Sequence, residues 1–164
     1  RLPIKNRLTD LPSMTGISMM SRSKLFIDTG GFIALANERD QYHKVAASFY
    51  RQLDGGIIRV TSNLVISETY TFLRYRIGYS VAMRYLLSTK KAQSGGYLQI
   101  LFSNEKSEEQ ALKILEKYND HDISYVDAVS FGFIMSDARI DRVLTFDRHF
   151  LLIGREIVPQ ALGT

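Results

Sequence analysis

The sequence predicts an α/β fold, a three-layer α/β/α sandwich around a central, mainly parallel sheet. Short apolar segments alternate with longer segments whose apolar residues recur at helical spacing. The strand-like segments are apolar almost throughout, as is typical of parallel strands that are covered on both faces. The chain of 164 residues suits one domain, and it shows neither an internal repeat nor a low-complexity tract.

In the first half of the domain, the sequence predicts two strands and three helices. The run KLFID is a strand candidate, and a helix with an apolar face follows it. Gly55 and Gly56 end that helix before the second strand, IIRVT. Asn63 and Ser80 are N-cap candidates for the next two helices. The predicted elements are strands at 24–28 and 57–61 and helices at 40–54, 63–76 and 80–93.

The second half continues the alternation. The runs YLQILF and RVLTF predict strands, and the short run EIV predicts a brief fifth strand. Ala111, Ile114 and Leu115 lie at core spacing within one helix, and Ser124 opens another helix that is apolar nearly all round. The predicted elements are strands at 97–102, 142–146 and 156–158 and helices at 105–118 and 124–136.

Residues 1–23 follow neither a helical nor a strand period, and they lack the apolar core of a signal peptide. We therefore treat them as an N-terminal extension, flexible or foreign to the domain, and assign the fold to residues 24–160. The chain has no cysteine, which excludes disulfides and thiolate metal sites, so we expect a cytoplasmic protein. No apolar run is long enough for a membrane span. The net charge of +4 weakly favours a polyanionic partner.

Four acidic residues are candidates for one site. In an open parallel sheet the site lies beyond the carboxyl ends of the strands. Asp28 ends the first strand, and Asp147 directly follows RVLTF. Glu68 and Asp127 lie in the N-terminal halves of helices, and helices that follow strands begin at the same edge. We therefore expect all four acids to converge there.

Each acid also has a simpler interpretation. Asp28 before Thr-Gly fits a helix N-cap, and Ser124 with Asp127 fits a capping box. Asp147 could cap a short helical turn, and Glu68 could be an ordinary helix acid. These alternatives stay open residue by residue. The group is more informative than its members, because four independent caps need not share one edge.

A cluster of ionised carboxylates needs compensation. Two of them about 4 Å apart repel by about 4 kcal/mol at an effective dielectric near 20. The usual partner is a hard divalent cation, Mg²⁺ or Mn²⁺, which prefers oxygen ligands. A metal of this kind suits phosphodiester cleavage, because it activates water and stabilises charge on the attacking and leaving oxygens.

Four motifs, FIDTGGFIAL, SNLVISETY, SYVDAVSFGFIM and RVLTFDRHF, resemble those of the PIN-domain ribonucleases, most closely the VapC-like toxins of type II toxin–antitoxin systems. The resemblance implies that residues 24–160 form a PIN-like nuclease domain. It matches Asp28, Glu68, Asp127 and Asp147 to the family's acids, with Thr145 as the hydroxyl companion of Asp147.

The resemblance also implies an activity and partners. The expected enzyme is a divalent-metal-dependent endoribonuclease that acts on RNA, the toxin of a pair with a cognate antitoxin, and a homodimer. One departure concerns the position two residues after the last Asp, where some family members carry another acid and this chain carries His149. A second metal ion would therefore bind weakly, or only when a substrate phosphate contributes ligands.

The segment 69–104 contains no acidic residue. Its basic residues could meet RNA phosphates, and its tyrosines could stack on unpaired bases. The resemblance adds a second interpretation, in which these helices bind an antitoxin or a second copy. A third is a solvated face over ordinary core packing. The basic residues are Arg74, Arg76, Arg84, Lys90 and Lys91, and the tyrosines are Tyr70, Tyr75, Tyr79, Tyr85 and Tyr97.

Two other functions fit an acid at a strand end. A phosphoacceptor receiver domain needs a pair of acids after its first strand and a Lys near the last, whereas FIDTGG offers one acid and only Arg155 lies near EIV. A haloacid-type phosphatase needs a second Asp where Gly30 stands. A non-catalytic RNA- or protein-binding module on a PIN-like fold remains the other alternative, although the presence of all four acids argues against it.

Overall fold

The computed structural model describes residues 23–160. The expected N-terminal extension, apart from Ser23, lies outside the described residues.

The core of the domain is a five-stranded sheet in which every strand pair is parallel. The strands lie in the order β3-β2-β1-β4-β5, so β1 is central and the chain order reverses between β1 and β4. A receiver-like sheet has the different order 2-1-3-4-5. The strands are β1 Lys24–Ile27, β2 Ile58–Ser62, β3 Leu98–Leu101, β4 Ile140–Leu144 and β5 Glu156–Val158.

Six α-helices and one 3-10 helix connect these strands within residues 23–160. The five predicted helices are present, whereas the first helix of the domain and the 3-10 helix were indicated only by the alternative capping interpretations of Asp28 and Asp147. The second helix begins three residues later than expected, because residues 37–42 form turns. The helices are α1 Thr29–Ala36, α2 His43–Arg51, α3 Asn63–Arg76, α4 Tyr79–Ser94, α5 Glu105–Lys117 and α6 Tyr125–Ser136, and the 3-10 helix is Arg148–Ile153.

Both faces of the sheet are covered. Successive side chains of a strand point to opposite faces, so Phe26 packs on one side while Leu25 and Ile27 pack on the other. The Phe26 side meets α5 and α6, and the opposite side meets α1 and α2. Helices α3 and α4 form a hairpin that packs against α1. The predicted three-layer α/β/α class is therefore confirmed, with a fully parallel sheet.

Helix α1 lies very close to β4 because residue 31 is a glycine. A Cβ at Gly31 would lie 2.4 Å from the carbonyl oxygen of Leu144, a distance that no side chain tolerates. The contact brings the first turn of α1 against the end of β4. The residues directly after β1, which begin with Asp28, are thereby held beside the residues directly after β4, which begin with Thr145.

The amino end of β1 carries a buried lysine. Lys24 is 5% exposed, and its Nζ donates to Asp137 Oδ2 at 2.9 Å and to Gln99 Oε1 at 3.0 Å. Arg139 also donates to Asp137, and the hydrogen bonds from Arg139 and Lys24 hold the pKa of Asp137 well below its usual range. The buried ammonium group of Lys24 therefore has an acidic partner within the fold.

Candidate active site at the carboxyl edge of the sheet

Asp28 follows β1 directly and is 4% exposed. Its Oδ2 accepts a hydrogen bond from Thr145 Oγ1 at 3.0 Å and caps α1 through the backbone nitrogen of Gly30 at 3.4 Å. Its Oδ1 is buried and has no hydrogen-bond partner among the described residues. The N-cap interpretation is therefore correct, but it uses only one of the two carboxylate oxygens.

The surroundings of Asp28 disfavour its charge. Burial, and after it the negative charge of Asp127, together raise the pKa of Asp28 from 3.8 to about 7, against the hydrogen bonds from the backbone and from Thr145. The charged form of Asp28 is costly because the carboxylate is withdrawn from water and one of its oxygens has no hydrogen-bond partner. A strongly perturbed acid in such a position is a common mark of a functional site.

Thr145 connects the ends of β1 and β4. Its hydroxyl donates to Asp28 and accepts a hydrogen bond from the backbone nitrogen of Asp147 at 3.1 Å. Thr145 is fully buried, so both bonds are shielded from water. Thr145 thus contacts the acid that follows β4 through the backbone nitrogen of that acid, and the same hydroxyl also reaches the carboxylate of Asp28.

Asp147 caps the 3-10 helix. Its Oδ1 accepts a hydrogen bond from the backbone nitrogen of His149 at 2.9 Å, and Nδ1 of the His149 ring lies 2.9 Å from the same oxygen. The carboxyl is partly exposed, unlike that of Asp28. His149, two residues after Asp147, therefore restrains the Asp147 carboxylate.

Asp127 forms the predicted capping box at the start of α6. Its Oδ2 accepts from the backbone nitrogen of Ser124 at 2.8 Å, and its own nitrogen donates to Ser124 Oγ at 3.1 Å. The same carboxylate is close enough to Asp28 to raise its pKa. Asp127 therefore caps α6 and at the same time lies near Asp28.

Glu68 is tied to the end of β1 by the residue after Asp28. The hydroxyl of Thr29 donates to Glu68 Oε2 across the gap between α1 and α3. Thr29 follows Asp28 in the motif FIDTGGFIAL, but the motif did not indicate that its hydroxyl would hold Glu68. A hydroxyl residue directly after an acid at a strand end is the signal that could have suggested it.

Within residues 23–160, no group of three or more acidic or histidine side chains is arranged so that it could hold a metal ion by itself. The donor set nevertheless suits a hard cation. Asp28 Oδ1 is a buried oxygen without a partner, and the charge of Asp127 acts on it. Mg²⁺ is commonly held by one or two carboxylates together with several waters and substrate phosphates, so a complete protein cage is not required. The residues at this edge fit such an ion.

The five basic residues of segment 69–104 are all exposed, but they do not lie together. Arg74 and Arg76 occupy the last turn of α3, where Arg74 lies over the ring of Tyr79. Lys90 and Lys91 are close to the end of α4, which leads to the start of β3 at the opposite edge of the sheet from the acids. The five side chains thus do not form one patch beside the acids.

The tyrosines of the segment differ in their exposure to solvent. Tyr85 packs in the core, where burial raises its pKa to about 12, and its ring meets Phe32 edge-on. Tyr75 is 81% exposed. Beside α4 lies a cavity of about 430 Å³ between α1, α2 and α4, whose lining includes Phe32, Val81 and Arg84. Core packing therefore explains Tyr85, whereas Tyr75 presents an open aromatic face.

A family model described as the PIN domain matches residues 25–156, so the chain belongs to the PIN domain family. Its fold and site define it as a PIN-domain nuclease of the α/β class.

Among known proteins, the chain is similar to the 23S rRNA-specific endonuclease VapC20 of two Mycobacterium tuberculosis strains, CDC 1551 / Oshkosh and ATCC 25618 / H37Rv. The identity is 28% over 137 residues, which cover 83% of this chain and 99% of the relative. A crystal structure of M. tuberculosis VapC20, described as a sarcin–ricin loop cleaving toxin, superposes with a TM-score of 0.71 at 27% identity. That match covers 80% of this chain and 95% of the other.

The resemblance to PIN-domain ribonucleases of the VapC kind is therefore confirmed, and with it the predicted class of metal-dependent endoribonuclease. The comparisons favour neither a non-catalytic module nor a receiver domain. Between residues 23 and 160, none of the helices combines the length and apolar character needed to cross a lipid bilayer.

Proposed function

We propose that this PIN-domain nuclease is a toxin that cuts a phosphodiester bond in a looped RNA, with ribosomal RNA as the first substrate to test. Asp28, Glu68, Asp127 and Asp147 would hold Mg²⁺ or Mn²⁺. The observation that carries the proposal is the buried, unpartnered Oδ1 of Asp28, on which the charge of Asp127 acts. A bound cation would give this oxygen a partner and would offset the repulsion between Asp28 and Asp127.

The residues of this chain divide the work between them. Asp28 provides the least solvated oxygen, and the Thr145 hydroxyl fixes the rotation of its carboxylate while holding the backbone of Asp147. Thr29 fixes Glu68 in the same way. When bound, the cation would supply Lewis-acid activation of water and neutralise charge on the phosphate. The protein positions the acids, and we assign no role as a base to its histidines.

The test is cleavage of a synthetic RNA that carries the sarcin–ricin loop, the substrate named for the relative. Purified protein would be incubated with Mn²⁺ or Mg²⁺ and, in parallel, with EDTA. We expect site-specific cleavage that EDTA abolishes. Cleavage that survives EDTA unchanged would remove the metal from the proposal.

Asp127→Asn separates ligation from capping. Asparagine still caps a helix, so stability should change by less than about 1 kcal/mol, whereas a neutral amide is a poor ligand for Mg²⁺. We expect cleavage to fall more than about 100-fold, and the rise in Tm on adding Mn²⁺ to disappear. Asp141→Asn, an exposed acid at the amino end of β4, is the matched control. Full cleavage and a full Mn²⁺ response in Asp127→Asn would take Asp127 out of the site.

For partners, we propose that the α3–α4 hairpin contacts RNA, a cognate antitoxin or a second copy in a homodimer. Support comes from its exposed basic residues Arg74, Arg76, Arg84, Lys90 and Lys91 and from the neighbouring cavity. An RNA substrate of the ribosomal kind also supports a cytoplasmic location.

A variant with Arg74, Tyr75 and Arg76 changed to Ala tests the tip of this hairpin. We expect a lower mass by light scattering or weaker binding of RNA or of the antitoxin peptide. If mass, RNA binding and peptide binding are all unchanged, these residues form a solvated face only.

A further inference from the structure

Strand β3 is bounded by two exposed aromatic residues. Tyr97 precedes the strand and is 71% exposed, and Phe102 follows it and is 63% exposed. Because β3 runs parallel to β1, Phe102 lies at the carboxyl edge, where the acids lie, and Tyr97 lies at the opposite edge. The two side chains are similar in size and exposure but differ in their distance from the site.

The loop that carries Phe102 is held on both sides. The backbone nitrogen of Ser103 donates to Asn63 Oδ1 at 2.9 Å, which ties the loop to the start of α3. Asn104 forms a capping box with Ser107 at the start of α5. These bonds fix the backbone around Phe102 while its ring stays in solvent. A single exposed apolar side chain is ordinary, so the inference depends on this position and restraint.

Phe102 is close to the acids in the frame of the sheet. Leu101 pairs with Ser62 at the end of β2, and β3 lies two strands from β1, or about 10 Å. A second aromatic residue lies on the α6 side. Tyr125 is 43% exposed, begins α6 and precedes Asp127 by two residues. Two exposed aromatic residues therefore lie at the same edge of the sheet as the four acids.

We propose that Phe102 and Tyr125 stack on unpaired bases next to the scissile phosphate, so that the enzyme selects RNA whose bases are splayed out of a helix. This inference deepens the proposed function and rests on it. Aromatic rings stack on any base without reading its edge, and bases in loops are free to leave their neighbours. A duplex keeps its bases paired, so it offers these rings nothing to stack on. The two residues would thus select loop over helix.

The first test measures binding without cleavage. An RNA hairpin with 2-aminopurine in its loop would be titrated with protein in EDTA, because stacking changes the fluorescence of that base. We expect Phe102→Ala to weaken Kd about 5- to 150-fold, the range expected for the loss of one stacked base. Phe102→Tyr should restore binding, and Tyr97→Ala, the matched control, should bind like wild type. Tyr125→Phe should also bind like wild type, and Tyr125→Ala should not.

The second test measures cleavage with Mn²⁺. We expect Phe102→Ala to raise KM with little change in kcat, because the ring binds substrate without touching the reacting atoms. Equal Kd and KM for wild type and Phe102→Ala would overturn the inference, as would equal losses in Phe102→Ala and Tyr97→Ala. A lower mass by light scattering with unchanged RNA affinity would instead make Phe102 a contact between copies.

Different results would reject the proposed nuclease function and the proposed base stacking. If wild type binds the loop in a Phe102-dependent way but cuts no RNA with Mn²⁺, the proposed nuclease function fails and the stacking stands. If wild type cuts RNA and Phe102→Ala cuts it equally well at every substrate concentration, only the stacking fails.

Discussion

The central strand carries a buried charged residue at each end, and the two ends are treated differently. At the amino end, the ammonium of Lys24 has an acidic and an amide partner within 3.0 Å. At the carboxyl end, the carboxylate of Asp28 has an oxygen with no partner and a second acid nearby. The charge of Lys24 is paired within the folded chain, whereas Asp28 keeps one oxygen without a partner, the oxygen that we propose binds the metal ion.

The residue at one end of this four-residue strand contributes to stability, and the residue at the other end belongs to the proposed functional site. A buried ion pair is costly to break, because the remaining partner stays buried and uncompensated. A buried acid without compensation costs stability for as long as it is charged, and such groups are concentrated at functional sites. Substitutions at the two ends should therefore change stability in opposite directions.

The largest effect is expected for Asp28→Asn. Cleavage should fall more than about 100-fold, since a first ligand of the metal is lost. The pKa of Asp28 is about 7 in the folded protein and 3.8 when it is unperturbed. Its contribution to stability is therefore fully present below pH 3.8 and is lost as pH rises through 7, an amount of about 4 kcal/mol.

The metal-free Asp28→Asn protein should therefore be more stable than wild type by up to about 4 kcal/mol at pH 8, and nearly equal to it at pH 4. Urea unfolding in EDTA at both pH values measures the difference. A variant that is less stable than wild type at pH 8 would contradict the comparison at this end of the strand.

Lys24→Met should lower stability by about 3 kcal/mol, because Asp137 loses its buried partner. Activity per folded molecule should not change, since Lys24 lies at the far edge from the acids. Arg139→Met is the control, because that side chain is half exposed and its ion pair is screened by solvent. Although Arg139 lowers the pKa of Asp137 most, we expect the smaller loss there. Equal losses in the two variants would show that burial does not set the strength of this contact.

Thr145→Val removes the hydroxyl that joins Asp28 to Asp147 and keeps the volume of the side chain. Cleavage should fall about 10- to 100-fold, as for partners that orient metal ligands. Stability should fall by about 1–2 kcal/mol, because the backbone nitrogen of Asp147 loses its acceptor. Thr145→Ser retains the hydroxyl and should recover most of the activity. Cleavage rates and urea unfolding of both variants would decide whether the hydroxyl or the methyl matters.

The smallest effect concerns the affinity of wild type for Mn²⁺. Binding requires the charged form of Asp28, whose pKa is near 7, so affinity should rise about tenfold between pH 6 and pH 8. Isothermal titration calorimetry at the two pH values measures this rise. In Lys24→Met the pH dependence should be the same, since the amino end does not touch the site. A flat profile in wild type would mean that Asp28 is not the titrating ligand.

The strands were predictable because buried parallel strands are short apolar runs that end in polar residues. The run before Asp147 was placed two residues late, at 142–146, because Thr145 and Phe146 extend its apolar pattern beyond the last paired residue, Leu144. Helix α1 was missed because TGGFIALA contains two glycines and no polar face. Packing against β4 stabilises this helix where its own propensity does not.

The four acids could be chosen from the sequence because strand ends and helix starts share one edge in a parallel sheet. Of their interactions, only the helix caps could be predicted. The unpaired oxygen of Asp28 and the hydroxyl of Thr145 that serves two acids depend on distances between side chains 117 residues apart in the chain. Capping and proximity to Asp28 also do not exclude each other, since Asp127 caps α6 while its charge raises the pKa of Asp28.

The strand order has a consequence for how this enzyme could be divided. Strands β1, β2 and β3 precede α5 in the chain, β4 and β5 follow it, and these two parts of the sheet meet along β1 and β4. Each part of the chain supplies two of the acids, Asp28 and Glu68 from the first and Asp127 and Asp147 from the second. Cutting the chain between β3 and α5 would give two fragments, each with an incomplete acid set. Nuclease activity would then report whether the fragments had reassembled, so the toxin would become a conditional switch that two fused partners could close.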